Sequence, residues 1–150
     1  MQKGQAIIEF IFLILIIVVY LTSTTIPLVE SAQKTITDTQ NITRANNELQ
    51  KIINAINEIN LFSNGSKQTL QLIIPSNTII KCDSEKNTIS FETQLTQEPY
   101  PIECSQGKCK KDYSLTNIDI QCAISQINGP QKVNITIQKS NSQINFTRSG

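Results

Sequence analysis

Histidine and tryptophan are absent from this sequence, and glycine occurs only five times in 150 residues. Each shortage removes a class of function. General acid–base and nucleophilic catalysis rest on convergent sets such as Ser/His/Asp or paired carboxylates. No imidazole is available and the acids are scattered singly, so no enzymatic activity is expected. Glycine-rich phosphate loops need closely spaced glycines, and none is present. An excess of one charge is also lacking: 13 Lys and Arg face 12 Asp and Glu, for a formal net charge of +1. The densest basic cluster, Lys108, Lys110 and Lys111, reads as a solvated loop, and no nucleic-acid partner is expected. No cofactor is expected either. Four thiolates could hold zinc, but Cys82 and Cys122 stand alone and only Cys104-x4-Cys109 has ligand-like spacing.

What the sequence does have is one long apolar run. From Ala6 to Leu21 all sixteen residues except Glu9 are apolar or aromatic, and Phe10 to Leu21 run without interruption. The preceding Met1-Gln2-Lys3-Gly4 carries one positive charge. An acid at the middle of a membrane helix costs about 3 kcal/mol, and such acids are functional by default. As a helix the run spans about 24 Å, short of the ~30 Å hydrocarbon layer. Extension through Val29 gives about 37 Å, with the intervening Thr and Ser hydroxyls bonding back to the helix. A secretory signal peptide fits less well. Thr22-Ser23-Thr24-Thr25-Ile26-Pro27 offers no clear Ala-x-Ala cleavage site, and Glu9 interrupts the would-be core. A permanent single-pass anchor fits the length.

Gly4, then Gln5-x-x-x-Glu9-Phe10 and an aliphatic run, resembles the class III signal peptide of archaeal type IV pilin-like proteins. The resemblance covers about the first twenty residues. It departs from the family at Ile7, where Ser is usual two places after the Gln. It implies that a membrane-bound prepilin peptidase cuts between Gly4 and Gln5 on the cytoplasmic side. It also implies that Glu9 and Phe10 serve assembly, Glu9 pairing with the N-terminal amine of a neighbouring copy. The subunit would be a single-pass membrane protein with a cytoplasmic N-terminus before assembly, and a part of a cell-surface filament afterwards. Its partners would be further copies of itself, as a homopolymer or a minor subunit, and the head would supply adhesion. The alternatives are a membrane-anchored extracellular protein that never polymerises, or a secreted disulfide-bonded binding domain.

On this reading residues 1–4 are the signal peptide, 5–29 the hydrophobic helix, 30–63 an amphipathic helix and 66–150 a β-rich head. Cutting after Gly4 removes Lys3, leaving 13 − 1 = 12 basic against 12 acidic side chains. All four cysteines lie in the second half, and an even count beside an export segment argues for two disulfides. Cys104–Cys109 would close a small turn, with Cys82–Cys122 joining two strands. The sequential pairing Cys82–Cys104 and Cys109–Cys122 stays open. Four Asn-x-Ser/Thr sequons, at Asn41, Asn64, Asn134 and Asn145, are glycosylation candidates. Asn64, in a turn, and Asn145, near the C-terminus, are preferred.

Residues 30–41 are polar, with only Ile36 clearly apolar. Pro27 is a candidate kink. Then Ile42, Ala45, Leu49, Ile52, Ile56 and Ile59 follow at spacings of 3 and 4, a heptad stripe on one helix face. The stripe is too short for a free coiled coil, so docking on a sheet of the same chain is expected. Asn64-Gly65 marks the stop. Beyond it the period becomes two. Strands are expected at 69–74, 78–82, 88–93 and 115–122, and a final hairpin joins 132–138 to 143–147. Residues 97–101, with two prolines, read as a loop. The expected fold is α+β and type IV pilin-like: a long N-terminal helix packed on an antiparallel sheet of about five or six strands.

Overall fold

The computed structural model describes residues 2–96, 104–116, 118–141 and 143–148, with side chains from residue 7 onward. The loop expected at 97–101 lies outside the described residues. One helix, α1 (Gln2–Leu61), precedes eight described strands. These are β1 (Lys67–Ile74), β2 (Thr78–Asp83), β3 (Thr88–Gln94), β4 (Lys108–Ser114), β5 (Asp119–Cys122), β6 (Gln126–Asn128), β7 (Gln131–Ser140) and β8 (Gln143–Arg148). The chain divides into two compact units, Met1–Thr37 and Asp38–Gly150. Within the first, every side chain from Ile7 to Glu30 is exposed.

Within the second unit, the helix buries the stripe its spacing predicts. Ala45, Leu49, Ile52, Ile56 and Ile59 are at most 3% exposed, with Ile42 packed beside them. Strand alternation supplies the opposing surface. Leu72 and Ile74 of β1, Val133, Ile135 and Ile137 of β7, and Ile144 and Phe146 of β8 all enter one core. Ile80, Ile89, Phe91 and Ile127 join them from β2, β3 and β6. The helix ends as Asn64-Gly65 suggests: Gly65 takes φ +89° and donates its N–H to the Lys139 carbonyl at 2.9 Å. No basic residue lies in the last helical turn. The cation comes from β7 instead, where Lys139 Nζ lies 2.6 Å from the Asn60 carbonyl and 3.0 Å from that of Phe62. A positive charge at this pole satisfies carbonyls that have no intrahelical partner.

The strands form two four-stranded sheets, in the orders β1-β7-β8-β5 and β4-β3-β2-β6, rather than the single antiparallel sheet of five or six strands expected. All pairs are antiparallel except β5 with β8. The Lys108–Lys111 region, expected as a solvated loop, is strand β4. Only Cys109 is buried there and Tyr113 half-buried, so its apolar alternation is too sparse to read. Lysines suit this position, because β4 is an edge and charged edges resist further pairing.

Both edges of the first sheet are covered. Glu48 of α1 accepts the outward N–H of Ile73 in β1 at 3.3 Å. At the other edge, Asn87 Oδ1 and Ser84 Oγ accept the N–H groups of Ile120 and Cys122 in β5, at 3.1 and 2.9 Å. Both acceptors sit in the β2–β3 turn of the second sheet, so the same bonds join the sheets. The Cys82–Cys122 disulfide bridges β2 to β5 at this joint, with a Cα separation of 5.9 Å. Cys104–Cys109 is the second bridge. It encloses Ser105-Gln106-Gly107-Lys108, where φ is +52° at Gln106 and +73° at Gly107. Two successive positive φ values are the signature of a type I′ turn.

Candidate functional site, the exposed apolar helix and the head

The N-terminal half of α1 is the feature that needs a partner. Ile7, Ile8, Phe10, Ile11, Phe12, Leu13 and the apolar residues through Val29 are each 46–72% exposed. Among the described residues this is one helix long and apolar enough to cross a membrane, and none of its most apolar window is buried. Fully burying such a side chain is worth about 1.5–3 kcal/mol. So many in succession require a lipid or protein cover.

The polar residues within the run are handled locally. Thr22 Oγ1 bonds to the carbonyls of Val18 and Val19 at 2.9 and 3.0 Å. Ser23 and Thr24 hydroxyls bond to the Tyr20 carbonyl at 2.9 and 3.0 Å. Hydroxyls returned to the backbone carry no unmet donor into an apolar medium. Helical structure continues through Pro27. Glu9 is the exception. It is exposed among apolar neighbours, and no basic group among the described residues pairs with it. Gly4 and Gln5 lie in the helix backbone, and their side chains are outside the described set.

On the head, the four sequons separate. Asn64 and Asn134 are exposed and Asn145 is half-buried. Asn41 is only 7% exposed, with its Nδ2 3.4 Å from Ser76 Oγ, so its amide nitrogen is not presented by the folded head. Asn41 belongs to a polar seam that sequence reading missed. Asp38 Oδ2 accepts from the N–H and hydroxyl of Thr96 at 2.7 and 3.0 Å. Glu48 pairs with Lys51 at 2.7 Å while holding Ile73, and Gln50 hydrogen-bonds the Tyr113 hydroxyl. Residues 38, 41, 45, 48, 49 and 52 share one helical face. The signal was the spacing, but polar identities masked it.

One carboxylate on the head is strongly perturbed. Glu92 on β3 lies 2.7 Å from Lys81 Nζ and 2.9 Å from Lys108 Nζ. The hydrogen bond from Lys81, then that from Lys108, lowers its pKa from the ordinary 4.5 to about 2. The folded state therefore binds this proton less readily than the unfolded chain. The stabilisation is present above about pH 4.5 and is lost as pH falls toward 2. Denaturation of wild type and Glu92→Gln should differ most near neutral pH, the gap closing across that window. A gap independent of pH would remove Glu92 from the acid response.

No family model matches the chain, and no curated protein or solved structure is significantly similar to it.

Proposed function

We propose that the chain is a pilin-type structural subunit of an archaeal type IV-like surface filament, assembled through its N-terminal helix. One observation carries the reading. A Gly4-Gln5 junction is followed four residues later by a lone carboxylate, in a helical stretch whose apolar side chains from Ile7 to Val29 are exposed. Before assembly, that helix sits in lipid with Lys3 on the cytoplasmic side, as the positive-inside rule favours. Cutting after Gly4 removes Lys3 and leaves a new α-amine on Gln5. The helix then exchanges lipid for the helices of other copies. Glu9 of one copy pairs with the amine of its neighbour, which sets the axial register. Buried pairs of this kind serve register better than net stability. Repeated head-to-tail contacts that do not close give a helical fibre. The disulfide-braced head is carried outward for adhesion.

The first test is the N-terminal residue of the native protein, read by mass spectrometry. A start at Gln5 is expected. A start at Met1 would instead favour the permanent anchor, and one between Thr22 and Ile26 a secreted domain with no role for Glu9.

A further inference from the structure

The outward face of the second sheet holds a cleft of about 350 Å³. Gln94 of β3 and Gln126 and Asn128 of β6 line it, with Asn77 from the β1–β2 turn. Ile79 and Pro130 supply apolar surface, and Glu92 forms a wall shared with a second depression of about 410 Å³. That neighbour is lined by Ser105, Gln106, Lys108 and Lys110.

Among the described residues, the side-chain amides of Asn77, Gln94, Gln126 and Asn128 make no hydrogen bond to protein. Their backbones, by contrast, are fixed. Gln94 N–H donates to the Asn77 carbonyl at 2.8 Å, and Gly129 N–H donates to the Thr78 carbonyl at 2.8 Å. At Gly129 the chains approach so closely that a Cβ would stand 1.9 Å from the Pro75 oxygen. The rim is therefore rigid while its amides are unspent, which lowers the ordering cost of binding.

Ligand class follows from the donor set. Each amide offers two N–H donors and one accepting oxygen, the complement of hydroxyl groups that both donate and accept. Glu92 adds a strong acceptor whose charge is already balanced by Lys81 and Lys108. The apolar floor matches the C–H face of a pyranose ring. A volume at the low end of the ~300–1,000 Å³ range suits a small ligand, and the adjoining depression lets an extended one continue past Glu92. We propose that this face binds a neutral oligosaccharide segment. This names the ligand class for the adhesive role above and rests on that role, not on filament assembly.

The test uses the full chain in detergent, with saturation-transfer NMR and affinity electrophoresis against soluble dextran, mannan and galactan, and alginate as an anionic comparison. Wild type should bind at least one neutral polymer, with little dependence on salt. Asn128→Ala and Gln94→Ala should each weaken that binding about three- to tenfold, the worth of one neutral hydrogen bond. Gln71→Ala, an exposed amide on the first sheet, should leave it unchanged. Failure to bind any neutral polymer overturns the proposal. So does equal binding by the cleft variants, or binding to alginate alone that added salt abolishes. Filament yield of the cleft variants should be normal, so loss of sugar binding and loss of assembly are scored separately.

Discussion

Replacing Glu9 with glutamine should leave the protein exported and cut after Gly4, yet reduce surface filaments to a small fraction of the wild-type number. Gln is nearly isosteric and cheaper in hydrocarbon than a carboxylate, so insertion and processing do not suffer. What disappears is the one charge in the run from Ala6 to Leu21, which in the assembly proposed above meets a neighbour's new amine. Glu9 has no basic partner among the described residues of its own chain. The measurement is filament count by electron microscopy beside immunoblots of membrane and sheared fractions. Wild-type filament numbers in Glu9→Gln would end the register role. Accumulation of uncut protein would move the defect to processing.

Removing the Cys82–Cys122 bridge should be the most damaging change to the head. Cross-link stabilisation grows with the loop closed. A separation of 40 residues corresponds to about 4 kcal/mol, and the separation of 5 at Cys104–Cys109 to about 2 kcal/mol. The longer bridge also spans the joint between sheets, beside the Asn87 and Ser84 bonds to β5. Cys82→Ser/Cys122→Ser should therefore melt well below Cys104→Ser/Cys109→Ser, by about 10 °C for a domain this size. Thermal unfolding of both double variants in detergent makes the comparison. Equal melting temperatures would show that the joint is held by its hydrogen bonds and packing instead.

Much of the fold was legible because it is local. Ala45, Leu49, Ile52, Ile56 and Ile59 announce a buried helix face by spacing alone, and all are buried. Val133, Ile135 and Ile137 alternate as a strand must, and they face the core. Both cysteine pairs occur in the preferred combination. The unread parts depend on distant partners. β6 is three residues long and exists because β2 lies beside it. The split into two sheets and the parallel β5–β8 pair leave no periodic trace. Asp38 and Glu48 are buried against expectation for carboxylates, since their acceptors are filled by Thr96 and Ile73, which no local pattern foretells. At the N-terminus, the apolar run was readable from composition alone, and every described side chain from Ile7 to Glu30 is exposed.

The polar seam also gives the helix an origin. A heptad stripe of aliphatic residues presents nearly the same profile after sliding by about 10.5 Å, seven residues at ~1.5 Å each. Asp38, Asn41, Glu48 and Gln50 break that degeneracy, since each meets one particular group: Thr96, Ser76, Ile73 or Tyr113. A slip of that length would strand two buried carboxylates without their donors, a cost of several kcal/mol. They act like the index mark on a vernier, turning a surface that could slide into one with a single reading. Within the unit from Asp38 to Gly150, four side chains thus fix where the helix stands on its sheets, which aliphatic packing alone would leave open.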